Sequence, residues 1–271
     1  MAWLKQSEAG INPTGKFTYQ GKAYPVWSSF EAHYKPEDSE LGKFNRYAKL
    51  GLMADKTVQL FKTLVQKDPL RVEARLAYAC LLMLQHGLRV GNEDSAEGYE
   101  SQLPANLGEF VQTYGVTTLL PEHVTVQRDK LILHFLGKKQ VEQNIKVEDP
   151  MLVVVGQLYR DNPGATWIGI DLGDLTRFIK DHFGPNFVPK DLRSFFANVT
   201  AFDLMRPYLD EAPVMKQDAN KELKLLVGGV ATGLGNTPAV AKGSYLDARM
   251  LEWYVNRRTN APVVQSRTSA R

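Results

Sequence analysis

The sequence predicts an α+β protein that is mainly α, with a small inserted antiparallel sheet and a short strand region ahead of the helices. Three observations predict it. Most of the chain places apolar residues at helical spacing. One stretch, residues 123–147, switches to alternation with many β-branched residues. Several helical stretches are bounded by punctuation: Asp68, Pro69 and Gly87 around one, Asp171 and Gly184 around another, and Pro189 and Pro238 at the start of two more.

The N-terminal stretch 1–36 mixes Gly, Pro and aromatics, and GKFTYQGKAYPVW reads as a hairpin turning on Gln20-Gly21. It is expected to form a short strand-and-turn region, with one larger domain over 37–271. Val58, Leu60, Phe61, Leu64 and Val65 read as one apolar helical face. The next helix is well punctuated: Asp68 as N-cap, Pro69 at the first helical position, Gly87 as the stop. Between them ARLAYACLLML is apolar nearly all round, which predicts a central helix that delivers Leu88-Arg89-Val90-Gly91-Asn92-Glu93 to a surface. Within 123–147 three short strands are expected, with turns near Arg128-Asp129 and Gly137-Lys138-Lys139. Further helices follow: one capped by Asp171 and stopped by Gly184, one from Pro189 to about Leu209, and KELKLLVGGVATGLG. A short one starts at Thr237-Pro238, and Asp247 caps the last. Leu192, Phe195, Phe196, Val199 and Phe202 should face inward. Gly228, Gly229 and Gly233 read as close helix packing and Gly235 as turn flexibility.

The chain has 271 residues, 44% hydrophobic and 23% charged, enough for a real core. Its single cysteine, Cys80, excludes an intrachain disulfide and reads as a buried inert thiol, which points to an intracellular compartment. No run approaches a membrane span, and the start has no signal-peptide core. The five histidines (33, 86, 123, 134, 182) show no HxxxH or HExxH spacing, and one cysteine cannot anchor a zinc site, so no metal is expected. There is no GxxxxGK[ST] run, so no nucleotide cofactor is expected either. Net charge is +3. After Glu252 there is no acid, and Arg257, Arg258, Arg267 and Arg271 make residues 255–271 a basic tail.

Five polar residues stand beside structural punctuation. Arg89 follows the Gly87 stop, Lys138 sits at a hairpin tip, and Arg193 lies near a helix start. Asn236 precedes a helix N-terminus and Tyr245 follows that helix. In this order they resemble the type IB DNA topoisomerases of the poxviral and bacterial kind. LRVGNED resembles the family's first arginine motif; TYGVTTLLPEHVTV and LILHFLGKK resemble its following segment and lysine hairpin. PKDLRSFFANV resembles the second arginine motif, and LGNTPAVAKGSY the nucleophile motif. The similarity runs from about Phe44 through Tyr254.

This resemblance implies a tyrosine nucleophile at Tyr245, with Arg89, Arg193 and Asn236 on the scissile phosphate and Lys138 as general acid. It implies duplex DNA as partner, a monomer, and relaxation of supercoils through a 3′-phosphotyrosyl link without ATP or metal. Lys139, Thr117, Thr118, Lys190 and Lys242 are expected as phosphate-positioning contacts. Asn92 and Glu93 are expected to hold the turn after Arg89.

The chemistry of these residue types agrees. Two arginines offer permanent charge and forked donors to phosphoryl oxygens. A phenol of pKa about 10 attacks poorly unless its anion is stabilised, which guanidinium groups do. An alkoxide leaves poorly unless protonated, which an ammonium does.

Two features depart from the family pattern. Asn236 stands where His is common; Asn donates one hydrogen bond but carries no charge. The N-terminal clamp of related enzymes is expected to be short or nearly absent here. Two other readings remain open on sequence alone. A tyrosine recombinase shares this style of chemistry, although its His-x-x-Arg box meets Lys190-Asp191-Leu192-Arg193 here. A non-catalytic DNA-binding module is the other.

Overall fold

The computed structural model describes residues 13–27, 39–91 and 112–259. It is mainly helical, with one two-stranded and one three-stranded antiparallel sheet among the described residues. No described helix is long and apolar enough to cross a membrane. His33, Asn92, Glu93, Arg267 and Arg271 lie outside the described residues, as does the side chain of Lys139.

Strands β1 (Gly15–Tyr19) and β2 (Lys22–Val26) form the expected hairpin. Gln20 and Gly21 both take positive φ, 49° and 74°, the two-residue turn whose twist suits the flanking strands. The described part of residues 1–36 is not a separate layer. Tyr19 meets Phe195 edge-on at 5.0 Å, Tyr24 meets Phe202 at 5.9 Å, and Trp27 meets Trp253 at 5.7 Å. These rings belong to the same buried core as the helices.

Helix α1 (Ser39–Lys67) buries Tyr47, Leu50, Ala54, Val58, Phe61 and Val65, spaced at three and four residues. The ring of Phe17 lies so close to Gly51 that a Cβ there would overlap it. Leu60 was expected on this face but is 47% exposed: one residue from Phe61, it is turned by about 100° around the axis.

Helix α2 (Val72–His86) starts later than expected. The carbonyl of Asp68 accepts from Arg71 N at 3.2 Å, so Asp68–Arg71 closes a turn, and Arg71 takes the cap position with no side-chain bond. The residues after Asp68 are needed to redirect the chain between two helices that pack on each other. Gly87 ends α2 at φ 64°, as its freedom from Cβ allows. Cys80 is fully buried, and burial pushes its thiol pKa up.

Strands β3 (Val124–Gln127), β4 (Lys130–Gly137) and β5 (Val141–Val147) lie in that order, all antiparallel, with Lys138–Gln140 a single 3₁₀ turn at the tip. Leu131, Leu133 and Phe135 alternate inward along β4. Helix α3 (Pro150–Asp161) packs on this sheet; Asp149 caps it, accepting from Met151 N at 3.0 Å and Leu152 N at 3.3 Å.

The last five helices are α4 (Leu172–Phe183), α5 (Pro189–Met205), α6 (Lys216–Gly233), α7 (Pro238–Ser244) and α8 (Ala248–Thr259). Asp171 and Gly184 bound α4, as expected. The α5 helix stops at Met205 rather than Leu209, where the chain tightens into a 3₁₀ turn containing Pro207, which has no N–H to continue an α-helix. Leu192, Phe195 and Phe202 are buried, while Phe196 and Val199 are only partly so. On α6, a Cβ at Gly228 or Gly233 would meet open space; of the three glycines expected in close packing only Gly229 has a near neighbour, Leu204 at 3.2 Å.

Residues 255–259, expected in a basic tail, instead belong to α8. Arg258 is 2% exposed and pairs with Glu222 at 2.9 Å and Glu211 at 3.3 Å. The hydrogen bond to Glu222, outweighing burial, holds its pKa above the ordinary arginine value.

Candidate active site

Four of the five sequence-predicted residues come together where α2, α5, α6 and α7 end or begin. Arg193, in the first turns of α5, is almost fully buried. Its guanidinium donates to the carbonyls of Gly87 and Leu234. Those carbonyls close the C-terminal ends of α2 and α6, where the helix dipoles favour a cation. One buried arginine thus fixes two helix ends.

The segment just past each end carries another predicted residue. Arg89 follows Gly87, and Asn236 follows Leu234 and Gly235. The Arg89 guanidinium donates to Asn236 Oδ1. Gly235 needs its freedom: φ is 55°, and Asn236 N then returns to donate to Ala231 O at 2.8 Å. Thr237 caps α7, accepting from Val240 N at 3.3 Å, and α7 ends at Tyr245.

Tyr245 is buried, with its ring centroid 5.3 Å from Arg193 Cζ and 5.5 Å from Lys190 Nζ. Burial pushes the Arg193 pKa down to about 10; the Tyr245 phenol opposes the fall and the Arg89 charge deepens it. Arg193 therefore pays for its position in desolvation. Two buried donors in this cluster, Arg193 Nε and Asn236 Nδ2, have no hydrogen-bond partner among the described residues. Unfilled buried donors beside two guanidinium groups form a place suited to an oxyanion.

Asn198, which sequence reasoning missed, anchors the tyrosine backbone. Its Nδ2 donates to Tyr245 O and Ser194 O, both at 2.8 Å, and its Oδ1 accepts from Asp247 N at 2.8 Å. The signal was present: Asn198 interrupts the apolar stripe of Phe195 and Phe202 on α5, and a fully buried amide on such a stripe needs partners. A second missed pair is Arg46 and Asp191. Asp191 Oδ2 receives Arg46 Nε at 3.0 Å and Val188 N at 2.9 Å, tying α1 to the start of α5.

Lys138 stands apart. It lies at the exposed tip of the β4–β5 hairpin and makes no hydrogen bond or ion pair with another described residue. The hairpin itself approaches the cluster. Tyr114 N donates to Leu136 O at 2.8 Å, and Val116 N donates to Arg89 O at 2.7 Å, so residues 114–116 bridge β4 to the Arg89 segment.

Thr117 and Thr118, expected as phosphate-positioning contacts, are buried. Both are 4% exposed. Thr117 Oγ1 donates to Gly91 O at 3.1 Å, and Thr118 Oγ1 accepts from Gly115 N at 3.0 Å. They shape the loop that braces Arg89. Lys190 and Lys242 are exposed, with Lys190 alone beside Tyr245. His134 is exposed on the outer face of β4 and pairs with Glu142 at 2.6 Å.

Fold and cluster together define a class: a mainly helical protein with an inserted sheet that sets two arginines, an asparagine and a buried tyrosine side by side. The sequence matches the family described as eukaryotic DNA topoisomerase I, catalytic core, over residues 32–260, and the chain belongs to that family. It is also similar to the DNA topoisomerase 1B of Acanthamoeba polyphaga mimivirus, with 25% identity over 194 residues, 65% of this chain and 54% of that protein. The chain thus spans about half the length of this curated relative.

Proposed function

We propose that this chain cuts and reseals one strand of duplex DNA as a type IB topoisomerase, with Tyr245 as nucleophile. The observation that carries the proposal is the Arg89–Arg193–Asn236 cluster against the Tyr245 ring, with two buried donors left unfilled. A phosphodiester seated there would take the Arg193 Nε and Asn236 Nδ2 hydrogens on its non-bridging oxygens, which gain charge in the transition state.

The step is a transesterification. The Tyr245 hydroxyl oxygen forms a bond to phosphorus and its proton passes to water. The bond from phosphorus to the 5′ oxygen breaks, and the Lys138 ammonium protonates that oxygen as it leaves. Lys138 regains a proton from solvent. The 3′-phosphotyrosyl link retains the ester's energy, so rotation of the free 5′ end and resealing need neither ATP nor a metal. Lys190, whose ammonium lies 5.5 Å from the Tyr245 ring centroid, adds positive charge beside the nucleophile. Lys139 and Lys242 add phosphate contacts along the duplex. The enzyme acts as an intracellular monomer.

A nicked suicide duplex tests this reading. The wild type should form a covalent protein–DNA adduct, and Tyr245→Phe should form none while still binding DNA in a mobility-shift assay. An adduct from the phenylalanine variant removes the nucleophile assignment. Binding by the wild type without any adduct leaves a non-catalytic DNA-binding module.

A further inference from the structure

The hairpin that bears Lys138 is held against the Arg89–Asn236 cluster from two sides, and neither contact involves Lys138. On one side residues 114–116 bridge Leu136 to Arg89. On the other, β5 presents Gln143 to the turn before Asn236. The Gly235 backbone and the Gln143 amide are so close that a Cβ on Gly235 would overlap the Gln143 Nε2, Oε1 and Cδ atoms. Gly235 also sits at φ 55°, a conformation that favours glycine.

Gln143 is well placed to transmit this contact. A Cβ on Gly137 would lie 3.1 Å from Gln143 Cγ, so the Gln143 side chain crosses the base of the tip just before Lys138. Its amide donates to Val141 O at 3.2 Å and Glu142 O at 3.3 Å, which fixes it to the strand that leaves the tip. An amide tied to its own strand therefore abuts Gly235, a residue of the nucleophile motif that has no side chain to resist it.

We propose that Gln143 and Gly235 form a latch that docks the lysine hairpin on the Asn236 turn, making Gln143 a positioning residue for Lys138. The proposal rests on the reading of Lys138 as general acid, and it separates the hairpin's docking from the chemistry at its tip. Without the latch the hairpin keeps its own ladder but loses its register against the site, and the ammonium no longer meets the leaving oxygen.

The test uses Gln143→Ala, Gly235→Ala and the double variant, with Lys138→Ala as reference. Hydrogen exchange of residues 136–143 in the free protein should speed up in both single variants; unchanged exchange overturns the latch. Single-turnover cleavage of ordinary duplex should fall about 10-fold in each single variant, a part of the 10²–10⁴ that general acid catalysis supplies. The double variant should be no slower than the slower single one, because both break one contact. Losses that multiply overturn it.

On a duplex with sulfur at the 5′-bridging position, where the leaving group needs no proton, Gln143→Ala should cleave within about 2-fold of the wild type. Gly235→Ala and the double variant, which also strain the turn that carries Asn236, should recover only the part of their loss shared with Gln143→Ala. Equal losses on the oxygen and sulfur duplexes overturn the positioning role. If sulfur fails to rescue Lys138→Ala, the acid assignment falls, and the exchange data alone then decide whether the latch exists.

Discussion

The two halves of the candidate site are built differently. Arg193 and Tyr245 lie in the core, each held by partners from other elements: Gly87 and Leu234 for the arginine, Asn198 for the tyrosine. Lys138 sits on an exposed hairpin tip whose position depends on edge contacts. The difference teaches where precision is needed early. A phosphate and its nucleophile must align before any bond changes, which favours groups locked by burial. A proton donor is needed only as the leaving oxygen departs, so a projecting strand pair suffices to carry it. The buried half should link function to stability, and the hairpin half should not.

Arg193→Ala gives the largest expected effect. It removes one of the two guanidinium groups and strands the Gly87 and Leu234 carbonyls without their donor. Cleavage should fall by about 10³-fold, and the unfolding free energy by about 3 kcal/mol, as expected for lost bonds to a buried charge. Single-turnover cleavage and urea unfolding read the two losses. A variant that is inactive yet as stable as the wild type would mean that Arg193 does not hold the helix ends together.

Lys138→Ala should separate the two properties. Cleavage should fall about 10²-fold while stability changes by less than about 0.5 kcal/mol, as for an exposed side chain with no partner among the described residues. A comparable loss of stability would erase the contrast between the halves.

Asn198→Ala lies between them. It touches no substrate, but it leaves Tyr245 O and Asp247 N, both buried, without their partner. A destabilisation of about 2 kcal/mol is expected, with cleavage slowed about 10-fold through a looser tyrosine. Full activity in a destabilised variant would confine Asn198 to folding.

The buried half was the less legible in sequence. Periodicity and punctuation located α2, α4, α5 and the three-stranded sheet, because Gly87, Asp171 and Gly184 act locally on the backbone. The motif residues were legible through resemblance. What failed were features decided by tertiary packing. Asp68 looked like an N-cap, but the turn between α1 and α2 used it instead. The burial of Thr117 and Thr118 carried no local signal; their hydroxyls bond to Gly91 and Gly115 in the Arg89 loop. Arg258 looked like part of a solvated basic tail, but Glu211 and Glu222, far away in sequence, take its charge into the core. Gln143 carried no local signal, since its meaning depends on the glycine across from it.

The effect with the least bearing on cleavage at neutral pH is a pH dependence of stability, and it belongs to the buried half. His86 ends α2 immediately before Gly87, whose carbonyl receives Arg193. Burial pushes its pKa from the ordinary 6.5 down to about 4, against the opposing pull of Asp149. Below pH 6.5 the unfolded chain takes up a proton on this ring that the folded protein refuses. Stability from neutral His86 is thus fully present above pH 6.5 and lost as pH falls towards 4, by at most about 3 kcal/mol. Burial lowers the His123 pKa too and adds in the same direction. Asp149 does not confuse this window: burial raises its pKa, but Lys62 and the Leu152 and Met151 amides outweigh that and hold it below the usual carboxylate range, so its contribution is lost at lower pH. Urea unfolding of the wild type and His86→Gln between pH 7 and 4.5 should give curves that converge as pH falls. Parallel curves would show that this ring is not desolvated in the folded protein. Hydrogen exchange at pH 5 adds a local readout: relative to pH 7, and after correction for intrinsic rates, residues 87–90 should lose protection more in the wild type than in His86→Gln.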